Sequence, residues 1–263
     1  MNKINLLLVL LMVILAGCDS QGPISVNGTL PIVTGLTLRE EACRGDTLVF
    51  TWDSVSVEVD GFGLWFSESP DFMWIKAGDF SGRTGMHVVN RCFTYGVWAQ
   101  RGNEHSAALS NRVTVGTLAL GTAIEESGDR IAGFAITPDT ILGGNATNPD
   151  FRQDFFIRRH LQGYLLYAGH TDPRMCPGGR WAQLAPAGGD GFRAPHPDSD
   201  QWSDSLYLFS SPRFFIMLEN GHYGRFTAMV YESTVPDPDP DNREMLAEVS
   251  FVLQPIQRVR LFD

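Results

Sequence analysis

Between Leu48 and Asp53 every second residue is large and apolar: Leu48, Phe50 and Trp52 alternate with Val49, Thr51 and Asp53. A period of two puts one set on a single face of an extended segment, which a helix repeating every 3.6 residues cannot do. The pattern returns after Asp60-Gly61, with Phe62, Leu64 and Phe66. It returns again with Phe93, Tyr95, Val97 and Ala99, which run up to the turn signal Arg101-Gly102-Asn103. Phe72 to Ile75, Met86 to Val89 and Ala107 to Val115, with Ser106 and Ser110 near the start of the last, add shorter strand candidates. About seven strands in about ninety residues predict a β-sandwich over residues 30–118.

Several of these residues carry a family likeness. Pro31 before the first strand, Trp52 ending the second, Phe62-Gly63-Leu64 in the third, and Tyr95-Gly96-Val97-Trp98-Ala99 before a serine-bearing final strand resemble a fibronectin type III domain. The resemblance implies an immunoglobulin-like sandwich used for binding. Trp52 and Tyr95 have the inward parity of core and corner residues. Trp65 and Trp98 have the opposite parity, so they are expected to face outward as a partner surface or to pack on a second domain. Arg44-Gly45-Asp46 spells the integrin-binding tripeptide. In adhesive type III domains that tripeptide lies before the last strand; here it leads into the second strand, and no adhesive role is expected of it.

The N-terminus bears on location. Lys3 precedes an almost unbroken apolar run, Leu6 to Leu15, which is shorter than the roughly 20 residues a membrane-spanning helix requires. Leu15-Ala16-Gly17-Cys18 follows, and it resembles the lipobox of bacterial lipoproteins. That resemblance implies a signal peptide over residues 1–17, acylation of Cys18 by palmitate-like chains, and a lipidated linker over 18–29. The rest of the chain would then lie in the cell envelope, held on a membrane and facing the periplasm or the exterior. Each buried methylene contributes about 0.8 kcal/mol, so two or three chains anchor durably where one does not.

The chain has 263 residues and a formal charge of −10, which becomes one unit more negative when Lys3 is removed. Acidity without basic runs argues against nucleic acid and against electrostatic docking on anionic lipid. The 27 glycines and 15 prolines, with only 19% charged residues, fit a folded, loop-rich β protein better than a disordered one. Of the four cysteines, Cys18 is assigned to lipid. Cys43 and Cys92 fall in one predicted domain and are expected to form a disulfide, which would close a long loop. Cys176 is left as a lone structural thiol.

Residues 119–263 are expected to form a second antiparallel β-rich domain, with the boundary inside the soft stretch Gly116 to Arg130. Ile131 to Ile136, Phe155 to Arg159, Tyr164 to Tyr167, Val249 to Leu253 and Val259 to Phe262 read as strands, and a short helix is allowed near Asp150 to His160. Asn220-Gly221, between two apolar runs, predicts a type I′ hairpin. Gly133-Phe134-Ala135-Ile136, Asp154-Phe155-Phe156 and Gly221-His222-Tyr223-Gly224-Arg225-Phe226 resemble the β-rich, haem-capturing envelope lipoproteins related to HmuY. That likeness implies an alternative role, capture of haem or another small ligand. The family's hairpin carries Lys where this chain has Arg225, and its paired axial histidines have no counterpart here.

No nucleophile elbow, His-Glu-x-x-His, P-loop or dinucleotide fingerprint is present, and no enzyme activity or cofactor is expected. His170 and Cys176 are near in sequence but have no orienting third group. Asp237, Asp239 and Asp241, with Glu248, have EF-hand offsets and are weak calcium candidates. Pro236, Pro238 and Pro240 stiffen that loop, and Asn242 replaces the turn glycine. Asp198, Asp200 and Asp204 beside Trp202 read as a surface loop, and the six histidines lack metal-ligand spacing. The expectation is a non-catalytic module binding an envelope protein or a glycan.

Overall fold

A computed structural model describes residues 30–263 except 70, 128–130, 161–162, 189–190, 209–212 and 233–244. The lipobox with Cys18 and the candidate calcium ligands Asp237, Asp239 and Asp241 lie outside the described residues.

The first half contains β1 (Thr37–Leu38), β2 (Thr47–Thr51), β3 (Gly61–Ser67), β4 (Ile75–Phe80), β5 (Thr84–Val88), β6 (Thr94–Arg101), β7 (Glu104–His105) and β8 (Val113–Thr114). One sheet has the order β1-β2-β5; the other runs β4-β3-β6, with β7 and β8 both paired to β6. Every ladder is antiparallel. This is the fibronectin type III strand order. The period-two residues meet as the pattern requires: Leu48, Phe50 and Trp52 bury against Phe62, Leu64, Tyr95 and Val97. The Phe50 and Tyr95 rings lie 4.4 Å apart.

Two local expectations differ from the structure. The strand expected at Phe72 to Ile75 begins at Ile75 instead, and Phe72 and Met73 are exposed. The final strand is also much shorter than its apolar run. Along the missing part, side chains replace backbone partners: the hydroxyls of Ser110 and Ser106 accept the N–H groups of Val97 (3.0 Å) and Ala99 (3.1 Å). The donors of β6 are thereby satisfied without a neighbouring strand.

The second half comprises β9 (Leu118–Ser127), β10 (Ile131–Ile136), β11 (Ile141–Asn145), β12 (Phe155–His160), β13 (Gly163–Ala168), β14 (Ala182–Pro186), β15 (Ser205–Tyr207), β16 (Arg213–Leu218), β17 (Tyr223–Glu232) and β18 (Met245–Leu253). They form two five-stranded antiparallel sheets, β11-β10-β12-β13-β15 and β14-β16-β17-β18-β9. A chain of rings crosses the core between them: Phe134 to Phe155 (5.2 Å), Phe155 to Phe226 (4.7 Å) and Phe226 to Phe251 (5.9 Å). In the segment near Asp150 to His160, where a short helix is allowed, residues 150–154 are not helical, and Phe155–His160 form the strand β12, as expected for Phe155 to Arg159. Its residues Phe155 and Ile157 face the main core, while Phe156 faces a smaller one with Ile131, Ala146 and Cys176. Apolar side chains on both faces favour a doubly covered strand.

The β16–β17 hairpin forms, but with a different turn. Only Gly221 has positive φ (79°), and its N–H donates to the Leu218 carbonyl at 2.9 Å. The Leu218 N–H reaches the His222 carbonyl at 2.9 Å. The connection is a turn followed by a glycine bulge rather than the two-residue type I′ loop.

After β18 the chain leaves the second sandwich. Ile256, Val259 and Leu261 enter the core of the first sandwich, while Phe262 turns the other way onto Phe215, 5.4 Å between ring centroids. The alternation expected of a strand at Val259 to Phe262 is therefore real, with one face assigned to each sandwich. Only isolated bridges form there: Val259 with Gly45 and Leu261 with Arg193.

Candidate functional site

The seam between the sandwiches is built on Arg44-Gly45-Asp46, at the entry to β2. Gly45, at φ 59°, turns the chain so that its N–H donates to the Arg258 carbonyl (2.8 Å) and its carbonyl accepts from the Arg260 N–H (2.9 Å). A residue with a Cβ is disfavoured in that left-handed conformation. The Asp46 carboxylate accepts from the buried Arg260 guanidinium and from Arg193 Nη1 at 3.0 Å. Arg260 also donates to the Ala194 carbonyl at 3.1 Å. Burial raises the Asp46 pKa, but the hydrogen bond and charge of Arg260, then Arg193, outweigh it and leave the carboxyl below its ordinary value. The tripeptide's carboxylate is thus engaged inside the molecule.

Further contacts extend the seam. The fully buried Gln254 donates to the Leu261 carbonyl at 2.6 Å. The N–H and hydroxyl of Thr117 donate to the Asp263 carboxylate at 3.0 and 2.6 Å. Arg225 donates to the carbonyls of Gly191 (2.9 Å) and Asp263 (3.0 Å).

Trp65 and Trp98 occupy the outer face of β3 and β6. Their rings meet edge to face at 5.0 Å. In register, Trp65 lies opposite Gly96 and Trp98 opposite Gly63; the space over Gly96 is filled by Leu109, and that over Gly63 by Gln100 and the Trp65 indole. Lys76 Nζ lies 5.9 Å from the Trp65 ring centroid, and the Trp98 and His105 rings are 6.2 Å apart. Trp65 is only 7% exposed. The pair largely covers itself with residues of its own sandwich.

The cysteines require a correction. Cys43 and Cys92 are both buried in the first core as free thiols, with no disulfide between them. Each sulfur has its own polar neighbours. Cys43 Sγ donates to the Arg39 carbonyl and accepts the Val49 N–H, both at 3.3 Å, while Cys92 Sγ lies 3.9 Å from Gln254 Nε2 in the C-terminal segment. Burial pushes the Cys92 thiol up to about 12, reinforced by Asp263. Burial, then Asp172, pushes Cys176 up to about 11.

The structure does not bring His170 and Cys176 together. Cys176 packs with Ile131, Ala146 and Phe156, whereas His170 stacks on Trp181, accepts the Ala182 N–H and lies 3.7 Å from Asp204. His222 Nδ1 lies 3.1 Å from the Gln254 carbonyl. Trp202 is buried and donates to the His196 carbonyl at 2.7 Å, with Asp198 and Asp200 exposed beside it. Among the described residues no group of three or more His, Cys, Asp or Glu is placed to hold a metal.

One ionisable site escaped sequence reasoning. Asp154, before β12, is almost wholly buried, accepts the Ile136 N–H at 2.6 Å and pairs with Arg180 Nη2 at 2.5 Å. Burial outweighs these partners and holds its carboxyl at about 6. The available signal was Gln153-Asp154 placed directly before a fully apolar run.

No family model matches the sequence, and no curated protein matches it. Among solved structures, the chain is similar to the mutant fibronectin type III domain FN3tt, at 15% identity over 32% of this chain and 89% of that one, TM-score 0.25. It is also similar to titin kinase with its flanking domains, at 9% identity over 55% and 31%, TM-score 0.29. A third likeness is to a cycloalternan-degrading enzyme from Trueperella pyogenes, at 11% identity over 79% and 28%, TM-score 0.22. The chain thus spans under a third of the length of the last two. At these values none of the likenesses bears on function; the architecture rests on strand order and register.

Proposed function

We propose that the chain is a cell-envelope lipoprotein, anchored through Cys18, that presents two joined β-sandwiches as a non-catalytic binding module for an envelope protein or glycan. The observation that carries this reading is Leu15-Ala16-Gly17-Cys18 placed directly after a short apolar run that follows Lys3. Acyl chains on Cys18 would hold the protein on a membrane, and residues 19–29 would space the first sandwich from the bilayer. The joined sandwiches add a reason for a binding role. Two domains locked through Asp46 and residues 254–263 keep a fixed relative orientation, so a surface spanning both is preorganised and loses little freedom when it captures a partner.

Metabolic labelling with an alkyne fatty acid, followed by mass spectrometry of the N-terminal peptide, tests the anchor. The reading predicts a peptide that begins at a lipidated Cys18 and label that disappears in Cys18→Ala. An unprocessed Met1 terminus without label, recovered from the cytosol, overturns it.

A further inference from the structure

We propose that a cavity at the seam binds an oxyanion (a phosphate, sulfate or carboxylate group), with Arg44 and Arg258 as its cationic clamp. The cavity has a volume of about 360 Å³, within the range of small-ligand sites. Arg44 enters from the first sandwich and Arg258 from the returning C-terminal segment, with Arg260, His196, Tyr223 and Met217 completing the wall.

The charges around it do not cancel. The guanidinium of Arg260 is taken by Asp46, and Asp46 is shared with Arg193. Glu41, whose field also reaches Arg44, is held by Arg39 at 2.9 Å. His196 has Asp198 at 3.5 Å, both exposed. Among the described residues, neither Arg44 nor Arg258 forms a salt bridge; the side chain of Arg44 donates only to the Cys43 carbonyl, at 2.5 Å. Two exposed cations that form no salt bridge among the described residues therefore line one cavity, an arrangement that a bound anion completes.

Backbone geometry supplies a second, independent observation. Among the described residues, Arg258 is the one non-glycine at positive φ, 65°. Backbone strain of this kind persists when the surroundings over-determine it, and it clusters at ligand clamps. Here it is held from both sides: the Arg258 N–H donates to the Gly221 carbonyl and its carbonyl accepts the Gly45 N–H, each at 2.8 Å. The result is a backbone position fixed at the junction of three segments, from which the exposed Arg258 side chain lines the cavity. Buried Tyr223 and half-buried Met217 offer an apolar bed for the body of a ligand carrying the oxyanion.

The site rests on Arg44 and Arg258 rather than on the anchor, and it narrows the binding-module reading by naming the charged group of the partner, such as that of an anionic glycan. Cys18→Ala tests the anchor alone; the arginine variants test the cavity alone.

Calorimetric titration of the full chain in detergent, at low ionic strength, with potassium phosphate, glucose 6-phosphate and glucose tests the proposal. Both phosphates are expected to bind and glucose is not. Tighter binding of glucose 6-phosphate than of phosphate assigns the anion to a saccharide, while equal binding assigns it to a free ion. Arg44→Gln and Arg258→Gln are each expected to weaken binding about tenfold or more, the worth of a lost charge-assisted hydrogen bond. Arg258→Lys is expected to retain part of it, and Arg193→Gln all of it. Should Arg258→Gln fail to fold, Arg44→Gln carries the test. Absence of binding by both phosphates, or affinities unchanged in Arg44→Gln, overturns the proposal.

Discussion

Asp46, at the start of the first sandwich, holds the buried guanidinium of Arg260, 214 residues later in the chain. The pair joins the first sandwich to the segment that follows the second, and it takes up the carboxylate of the tripeptide that otherwise spells an adhesion signal. Removing Asp46 leaves a nine-tenths buried cation without a carboxylate. Asp46→Ala is expected to cost about 2–4 kcal/mol, whereas Arg193→Ala, at the exposed end of the network, costs about 1 kcal/mol or less. Urea unfolding of the two variants checks the ranking, and equal costs would refute it.

The same carboxylate sets an acid limit. Its folded pKa lies below the ordinary value, so the stability it contributes is present above the unfolded pKa and is lost as pH falls through the depressed folded one. Unfolding midpoints should drop below about pH 4, and Asp46→Asn should flatten that drop. An unaltered acid limb in Asp46→Asn would show that other carboxylates control it.

Asp154 has the opposite sign. Its folded pKa is raised to about 6, so its contribution is present below the unfolded pKa near 4 and is lost as pH rises through about 6. Carbon-detected NMR titration of the Asp154 carboxyl should give a midpoint near that value. A midpoint below 4 would mean that Arg180 and the Ile136 N–H outweigh burial.

Gly224 lies under the ring of Phe251, and a Cβ placed there would collide with that ring and with Ile216. Gly224→Ala is therefore expected to destabilise by about 1–3 kcal/mol through overpacking, read as a fall in thermal midpoint. A midpoint equal to that of the parent would show that the ring stack can shift at no cost.

With Cys43 and Cys92 as buried thiols raised by burial, iodoacetamide should modify neither in the native protein and both after denaturation without reductant. Recovery of a Cys43–Cys92 bridged peptide would reinstate the disulfide.

Period-two alternation was enough to read β2, β3 and β6 of the first sandwich, because a strand with one face on the core writes its parity directly into the sequence. β12 was less legible: Phe155, Phe156 and Ile157 are covered on both faces, and a fully apolar run does not distinguish strand from helix. The free thiols were misread because sharing a domain says nothing about which polar groups each sulfur meets. The seam was hidden for a different reason. Gly45, Asp46, Arg258 and Arg260 acquire their roles through contacts spanning more than two hundred residues, and no local pattern records that distance. The alternation at Val259 to Phe262 was visible; that its two faces serve two different cores was not.

The central claim is that residues 254–263 complete the core of the first sandwich and make the two halves one unit. It is tested most directly by removing those residues from the full chain and following unfolding by calorimetry and near-ultraviolet circular dichroism. Burial of Ile256, Val259 and Leu261 contributes about 1.5–3 kcal/mol apiece. The parent should therefore unfold in a single cooperative transition, the truncated protein should lose it and bind a hydrophobic dye through an opened first sandwich, and a synthetic peptide of residues 254–263 should restore it. A truncated protein with the parent's cooperativity and thermal midpoint would contradict the account.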